Sequence, residues 1–395
     1  MNNIKQRLQS NLVNEKVDAL FDAFELEIEG TKLITSALQD KEREVRQCAW
    51  FLLSESNLEI TNQALYNYLP FPKIDCLHTL TEFEEDTNNF APDYFAISDY
   101  YHTLVCYSDI NYKISYVDIW DLPTGKKISN FQLTAHEFGL GKQGKIYIQT
   151  FQDAILALKS KTLEPIGSFP ENLIRSTYDS YFNVCLKMRP LLASGGSIGE
   201  KGKLEIWNYE TCNLYIGYDF EKLTLAPHYQ TKSRNLISHL PSPLIFTPDG
   251  DFFVANFFDH SRNSIIKIWN IETKKLIQTL DNLPRVAISC LGINPDGRII
   301  ACGIREDKIC VWELQSDSII YTVDEIAPCI ISNDSRILIH GTANYEIVIR
   351  DLINNKELNI LRGHNAQIMH LAMSEDREFI ASYSSDKTIK IWGLA

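Results

Sequence analysis

Few residues in the chain have the type and spacing to do chemistry. His364, Ser382 and Asp386 fall within one short stretch. A serine, a histidine and a carboxylate are the parts of a nucleophile, its base and the group that orients the base, but such a triad also needs an exposed nucleophile and an oxyanion hole. Gly195-Gly196, in LLASGGSIGEKGKLEIW, superficially resembles a phosphate loop. It lacks the Gly-Lys-Ser/Thr ending and no strand-to-helix pattern surrounds it, so a hairpin turn is the better reading. The nine histidines are scattered, and no His/Cys group has zinc spacing. The acidic run Glu82, Glu84, Glu85, Asp86 offers too few oxygens in register for a calcium loop. No catalytic residue, metal site or cofactor is expected.

The charge narrows the partners. Lys and Arg number 38 against 51 Asp and Glu, a net charge of −13. Non-specific nucleic-acid binding needs a basic surface that displaces counterions, so nucleic acid is an unlikely partner. The nine cysteines are odd in number, irregularly spaced and free of any CxxC pair, which reads as free thiols in a reducing cytosol. The opening MNNIKQRLQSNLVNEK lacks the apolar core of a signal peptide, and no apolar run approaches the roughly 20 residues that cross a bilayer. The expectation is a soluble cytoplasmic protein with no membrane insertion.

Two textures position these residues. The first, residues 1–70, has no Pro before Pro70 and a single Gly, Gly30. Val17, Leu20, Phe21 and Phe24 make one helical stripe; Leu33, Ile34, Ala37 and Leu38 a second; Val45, Ala49, Leu52 and Leu53 a third. Asn57 is placed to cap a last helix carrying Ile60, Ala64, Leu65 and Tyr68. Short breaks imply antiparallel hairpins, about two of them. The segment LQDKEREVRQCAWFLLSE resembles a HEAT-type repeat, in which an Asp in the turn is reached by an Arg early in the next helix; Asp40 and Arg46 match those places. Pro70-Phe71-Pro72 then ends the helical texture.

From Lys73 onward a unit repeats. SIIKIWNIETKKLIQTL recurs as YVDIWDLPTGKKISNF, KLEIWNYETCNLYIGY, KICVWELQSDSIIYTV and YEIVIRDLINNKELNIL, and ends as TIKIWGLA. Each copy is an alternating strand, a turn and a further strand. The key positions are Trp120, Leu158, Trp207, Trp269, Trp312, Arg350 and Trp392, at intervals of 38, 49, 62, 43, 38 and 42 residues. A second pair of strands precedes each copy, joined by Pro-Asp-Gly turns in IFTPDGDFFVANF and LGINPDGRIIACG and by weaker turns elsewhere. The interval of 62 implies an insertion between Asp219 and Pro241, with a mildly basic island of His228, Tyr229, Lys232, Arg234 and His239.

This pattern resembles the tryptophan-aspartate (WD) repeat family of β-propellers. The last unit, LRGHNAQIMHLAMSEDREFIASYSSDKTIKIWGLA, is the most faithful. The resemblance implies that His364, Ser382, Asp386 and Trp392 form a buried structural tetrad: Trp to Ser, Ser to His, His to Asp. It therefore favours a structural network over a hydrolase triad. Elsewhere the Ser position holds Cys106, Gln149, Ser194, Ala255, Cys302 and His340. The expected fold class is mainly β: a seven-bladed propeller over 71–395 with a small HEAT-like helical extension over 1–70. A strand at 75–80 is expected to join the last blade, with Cys76–Leu80 facing Thr388–Trp392. The helices admit two readings, an interaction arm stacked beside the ring or a cap that packs on the propeller, and docking near that blade is the favoured one. Loops of one face offer Arg285, Arg305, Glu306, Tyr345, Gln367 and Ser385 as candidate partner-binding residues. The expected function is a non-catalytic scaffold or regulatory adaptor binding a protein or peptide; the alternatives are an enzyme with a site at the channel mouth and an RNA-binding regulator.

Overall fold

A computed structural model describes residues 2–56, 58–81, 92, 94–98, 102–109, 115–133, 135–140, 145–150, 155–159, 165–168, 180–184, 191–198, 201–208, 211, 213–225, 244–261, 263–283, 286–294, 296–305, 308–325 and 327–394. The chain divides into two compact units, Met1–Pro72 and Lys73–Ala395.

The first unit holds five helices: α1 (Asn2–Leu8), α2 (Val13–Phe24), α3 (Glu27–Ala37), α4 (Arg43–Glu55) and α5 (Glu59–Asn67). Their core gathers Leu20, Ala23, Ile34, Leu38, Val45, Ala49, Leu52 and Leu53, so two of the three stripes turn inward as read from the sequence. The α2 stripe does not. Its buried face is Lys16, Ala19, Leu20 and Ala23, while Phe21 and Phe24 point outward. Small residues are preferred there because the helices touch: a Cβ added to Gly30 of α3 would lie 1.7 Å from the carbonyl oxygen of Ala23. The Asp40 turn also differs in detail. Arg46 donates to the backbone carbonyls of Asp40 (3.0 Å) and Lys41 (2.9 Å), and the Asp40 carboxylate is held by Lys16 (2.7 and 2.9 Å). The cap reading at Asn57 lies outside the described residues.

Among the described residues the second unit comprises seven antiparallel sheets, five of them with strands in simple chain order. The first blade comprises Tyr94–Ser98, Thr103–Asp109, Ser115–Asp121 and Lys127–Leu133. The sixth comprises Cys329–Ile331, Ile337–Gly341, Ile347–Asp351 and Lys356–Leu361. The seventh joins Ile368–Met373, Phe379–Ser384 and Ile389–Leu394 to Ile74–Leu80 from the other end of the unit. The fourth gains a short extra strand, Thr224–Leu225, at its Phe252–Phe258 strand. The first strand of every blade lies beside that of the next, and that of the seventh lies beside that of the first, which closes the ring. The apolar faces meet between blades. Ile300, Cys302, Ile304 and Val311 of the fifth pack on Cys329, Ile331 and Leu338 of the sixth. Phe379, Ala381 and Tyr383 of the seventh pack on Leu104, Cys106 and Trp120 of the first.

One irregularity recurs in all seven sheets. Opposite the key position of the third strand, the fourth strand carries one extra residue: Ile128, Ile166, Tyr215, Ile277, Ile320, Leu358 and Leu77. These bulges place Leu158 and Arg350 where the other blades have Trp. They also sit on the outermost strand, where a bulge disrupts the edge and discourages pairing with another chain. In the closing pair the bulge at Leu77 shifts the register: Cys76 faces Trp392, but Leu80 faces Ile389 rather than Thr388. The closing strand is also tied sideways. Asn359 of the sixth blade donates to the Ile74 carbonyl (3.0 Å), and a ring nitrogen of His78 lies 2.9 Å from the carbonyl of Pro123 in the first.

Candidate functional site

The four side chains singled out in the last repeat converge in the seventh blade. Ser382 sits on the second strand and Trp392 on the third. Asp386 lies in the turn between those strands, and His364 in the connection that enters the blade. Trp392 Nε1 donates to Ser382 Oγ at 2.9 Å. Ser382 Oγ lies 2.8 Å from His364 Nε2, and His364 Nδ1 lies 3.0 Å from Asp386 Oδ2. The serine hydroxyl has one proton, so it donates to Nε2; His364 then carries its own proton on Nδ1 and donates to the carboxylate. Asp386 further accepts from the Asn365 N–H (2.8 Å), the Thr388 N–H (2.9 Å) and the Thr388 hydroxyl (2.6 Å).

The titration of the pair follows from these contacts. Burial lowers the His364 pKa, against the pull of Asp386, and so keeps the imidazole neutral. Burial alone would raise Asp386, but the Thr388 hydroxyl, the Asn365 N–H and His364 together bring it down to about 2. The Ser-His-Asp order is that of a hydrolase, yet the nucleophile requirement fails. Ser382 is 0% exposed and its oxygen already takes the indole N–H, so no acyl group can reach it. Among the described residues no group of three or more His, Cys, Asp and Glu is placed to hold a metal ion.

The other blades use other chemistry at the same places. In the first, Cys106 stands at the Ser position, and Asp118 beside it is held by Lys127 (2.7 Å) and Asn130 (2.6 Å). In the sixth, His340 donates from Nδ1 to the Gly341 carbonyl (2.8 Å), and Arg350 bonds Asn355 and lies 4.8 Å from the Tyr321 ring. Two assignments from the sequence are off by one residue. Gly303, not Cys302, is two pairs along from Ala301–Trp312, and Ile148, not Gln149, is two along from Ile146–Leu158. Cys302 therefore points to the face opposite Trp312, into the packing with the sixth blade.

Antiparallel alternation puts the turns between second and third strands on the same face as the connections from one blade to the next. Of the six candidate partner-binding residues, Gln367 and Ser385 are brought together there: the Ser385 N–H donates to the Gln367 carbonyl at 2.9 Å. Ser385 is exposed and Gln367 half-buried. Arg305 is buried, so its guanidinium does not offer the free surface expected of it. Arg285 and Glu306 lie outside the described residues, as does most of the 219–241 insertion with its basic island. Tyr345 is 43% exposed and occupies left-handed backbone, φ +66°. Lys387 holds the equivalent place in the seventh blade, φ +65°. The face also carries an ion pair that the sequence reading missed, Arg362 to Glu346 at 2.7 Å; its partners are 16 residues apart and no local pattern links them.

The family model of the WD domain, G-beta repeat, matches residues 355–393, the stretch that contains the tetrad. Over those residues the chain carries a WD repeat. It is similar to the WD repeat-containing protein WDS homolog of Arabidopsis thaliana, 28% identical over 159 residues, which cover 38% of this chain and 29% of that protein. It is similar also to an uncharacterized WD repeat-containing protein of Synechocystis sp., 34% identical over 113 residues, 27% of this chain and 32% of that one. A third relative is the APC/C activator protein CDH1 of Saccharomyces cerevisiae, 21% identical over 140 residues, 33% of this chain and 25% of that protein. Each match spans less than a third of the relative's own length. No helix among the described residues is long and apolar enough to cross a membrane.

Proposed function

We propose that this WD-repeat protein is a non-catalytic scaffold or adaptor that binds a protein or peptide in the cytoplasm through the face carrying Tyr345, Gln367 and Ser385, and that its helices are HEAT-like. The observation that carries the reading is Tyr345. A side chain with a Cβ loses roughly 1–2 kcal/mol in left-handed backbone, and glycine would avoid that loss. The left-handed backbone belongs to this turn, since Lys387 shares it, but a solvent-facing aromatic held there is good recognition chemistry, because Tyr is enriched where interfaces carry their energy. The inaccessible Ser382 and the ordinary scaffold role of propeller loops support a binding reading over an enzymatic one. The acidic balance supports protein over RNA as the partner.

The test is pull-down from native lysate with the full chain and with Tyr345→Gly. The substitution relieves strain and adds freedom to the unfolded chain, so stability should stay within about 1 kcal/mol. Capture of the partner should fall at least about tenfold. Undiminished capture by a normally folded Tyr345→Gly protein would refute the assignment of this face.

A further inference from the structure

We propose that the corner between α2 and α3 is a second interaction surface, which takes a basic amphipathic helix of a partner protein. This goes beyond the propeller face and does not depend on it. Phe21, Phe24, Leu26 and Ile28 lie within eight residues of chain and are 37 to 59% exposed. Two large aromatic residues facing water from one helix leave apolar area that folding has not buried. The same segment is acidic throughout. Asp18, Asp22, Glu25, Glu27 and Glu29 fall between Lys16 and Lys32 with no basic residue among them. Lys16 gives nothing back, because it is withdrawn into the buried pair with Asp40; Arg7 pairs with Asp22. The surface is preformed, since the contact of Gly30 with Ala23 fixes how the two helices meet.

Charge selects the occupant. An apolar patch rimmed by carboxylates is complementary to a helix with apolar residues on one side and Lys or Arg on the other. It repels acidic surfaces. Both units are acidic overall, the propeller unit with 31 basic and 40 acidic residues and the helical unit with 7 and 11, so a separate basic partner is the better complement. An anionic lipid surface is excluded on the same ground.

The test uses the full chain and fluorescent peptides of about 18 residues, long enough for five turns. One places Leu on one helical face and Lys on the other; a second scrambles that composition; a third replaces Lys with Glu. Fluorescence anisotropy should show binding of the first only. Phe21→Ala/Phe24→Ala keeps every charge, and Glu25→Lys/Glu29→Lys keeps every apolar group. Each should weaken binding at least about tenfold, while Leu12→Ala, which removes an exposed leucine away from the corner, should not. If circular dichroism shows that the double Phe variant loses helix, Ile28→Ser carries the same expectation. Equal binding of the scrambled peptide, or full affinity in the variants that lack the apolar groups, would reduce the effect to general charge attraction and overturn the proposal. So would a dimer in sedimentation that Phe21→Ala/Phe24→Ala dissolves, since the occupant would then be a second copy.

Discussion

Ser382→Ala isolates what the tetrad contributes. The hydroxyl does two jobs: it accepts from Trp392 Nε1 and donates to His364 Nε2, and both partners are buried. Alanine fits the space and leaves a donor and an acceptor without partners. Each such orphan costs about 1–3 kcal/mol. A native precedent sets the lower end: in the fifth blade Gly303 stands at the Ser position and the Trp312 indole N–H has no hydrogen-bond partner among the described residues. Two orphans sum to about 2–6 kcal/mol, and the tolerated indole places the loss in the lower half, about 2–4 kcal/mol, or about 30- to 700-fold in the opening equilibrium at 1.4 kcal/mol per tenfold. The assay is native-state hydrogen exchange by mass spectrometry. Amides of Phe379–Ser384 and Ile389–Leu394 should exchange faster by that factor, and those of the fourth and fifth blades much less. The second arm is Ser382→Ala/His364→Phe. Removing the histidine removes one orphan, so the double variant should cost about 1–3 kcal/mol less than the sum of the single ones. Strict additivity, or an acceleration below about fivefold in Ser382→Ala, would mean that packing around Trp392 and not the polar network holds the blade.

Two further expectations concern pH and closure. His364 has a lowered folded pKa, so the unfolded chain binds more protons below about pH 6.5 and stability falls as pH drops through that range. Asp386, at about 2, adds stability that is full above pH 3.8 and lost on acidification towards 2; urea midpoints across pH should show the second loss vanish in Asp386→Asn. Gly393→Ala would bring a Cβ to 2.7 Å from the Leu77 side chain and 2.9 Å from the Glu378 carbonyl. It should destabilise by about 1–3 kcal/mol, and Leu77→Ala in the same protein should recover part of it in thermal melts.

What the sequence made legible was the strand that carries Trp and the turns that carry Pro-Asp-Gly. Gly250 and Gly297 adopt φ +72° and +76°, as such turns require. Ser335 and Arg377 adopt the same left-handed backbone with no glycine to announce it, which is why those turns read weakly. Register within the second strands was not legible. Ile299–Arg305, Ile337–Gly341 and Phe379–Ser384 are buried along their whole length, so the alternation that fixes a face from sequence is absent, and a slip of one residue moved Cys302 to the wrong place. The bulges were silent too, because an extra apolar residue in an apolar strand leaves no mark. In the helices, the error at Phe21 and Phe24 came from treating apolar spacing as burial. The tight approach of α3 favours Ala19 and Ala23 on the inner face and leaves the aromatics outside.

The strand that closes the ring has a consequence for how the protein is made. Lys390 donates to the hydroxyl of Thr79 across 311 residues of chain. A ribosome adding about 5–20 residues per second needs roughly 15–60 s between the two. Throughout that time Ile74–Leu80 has been made and its partner strand has not. Six blades can form in order as they emerge, each on the one before, whereas the seventh waits for both parts. The cell therefore holds, for roughly 15–60 s, an open propeller with an unsatisfied edge at its start, and that interval is when a chaperone or a wrong strand has its opportunity.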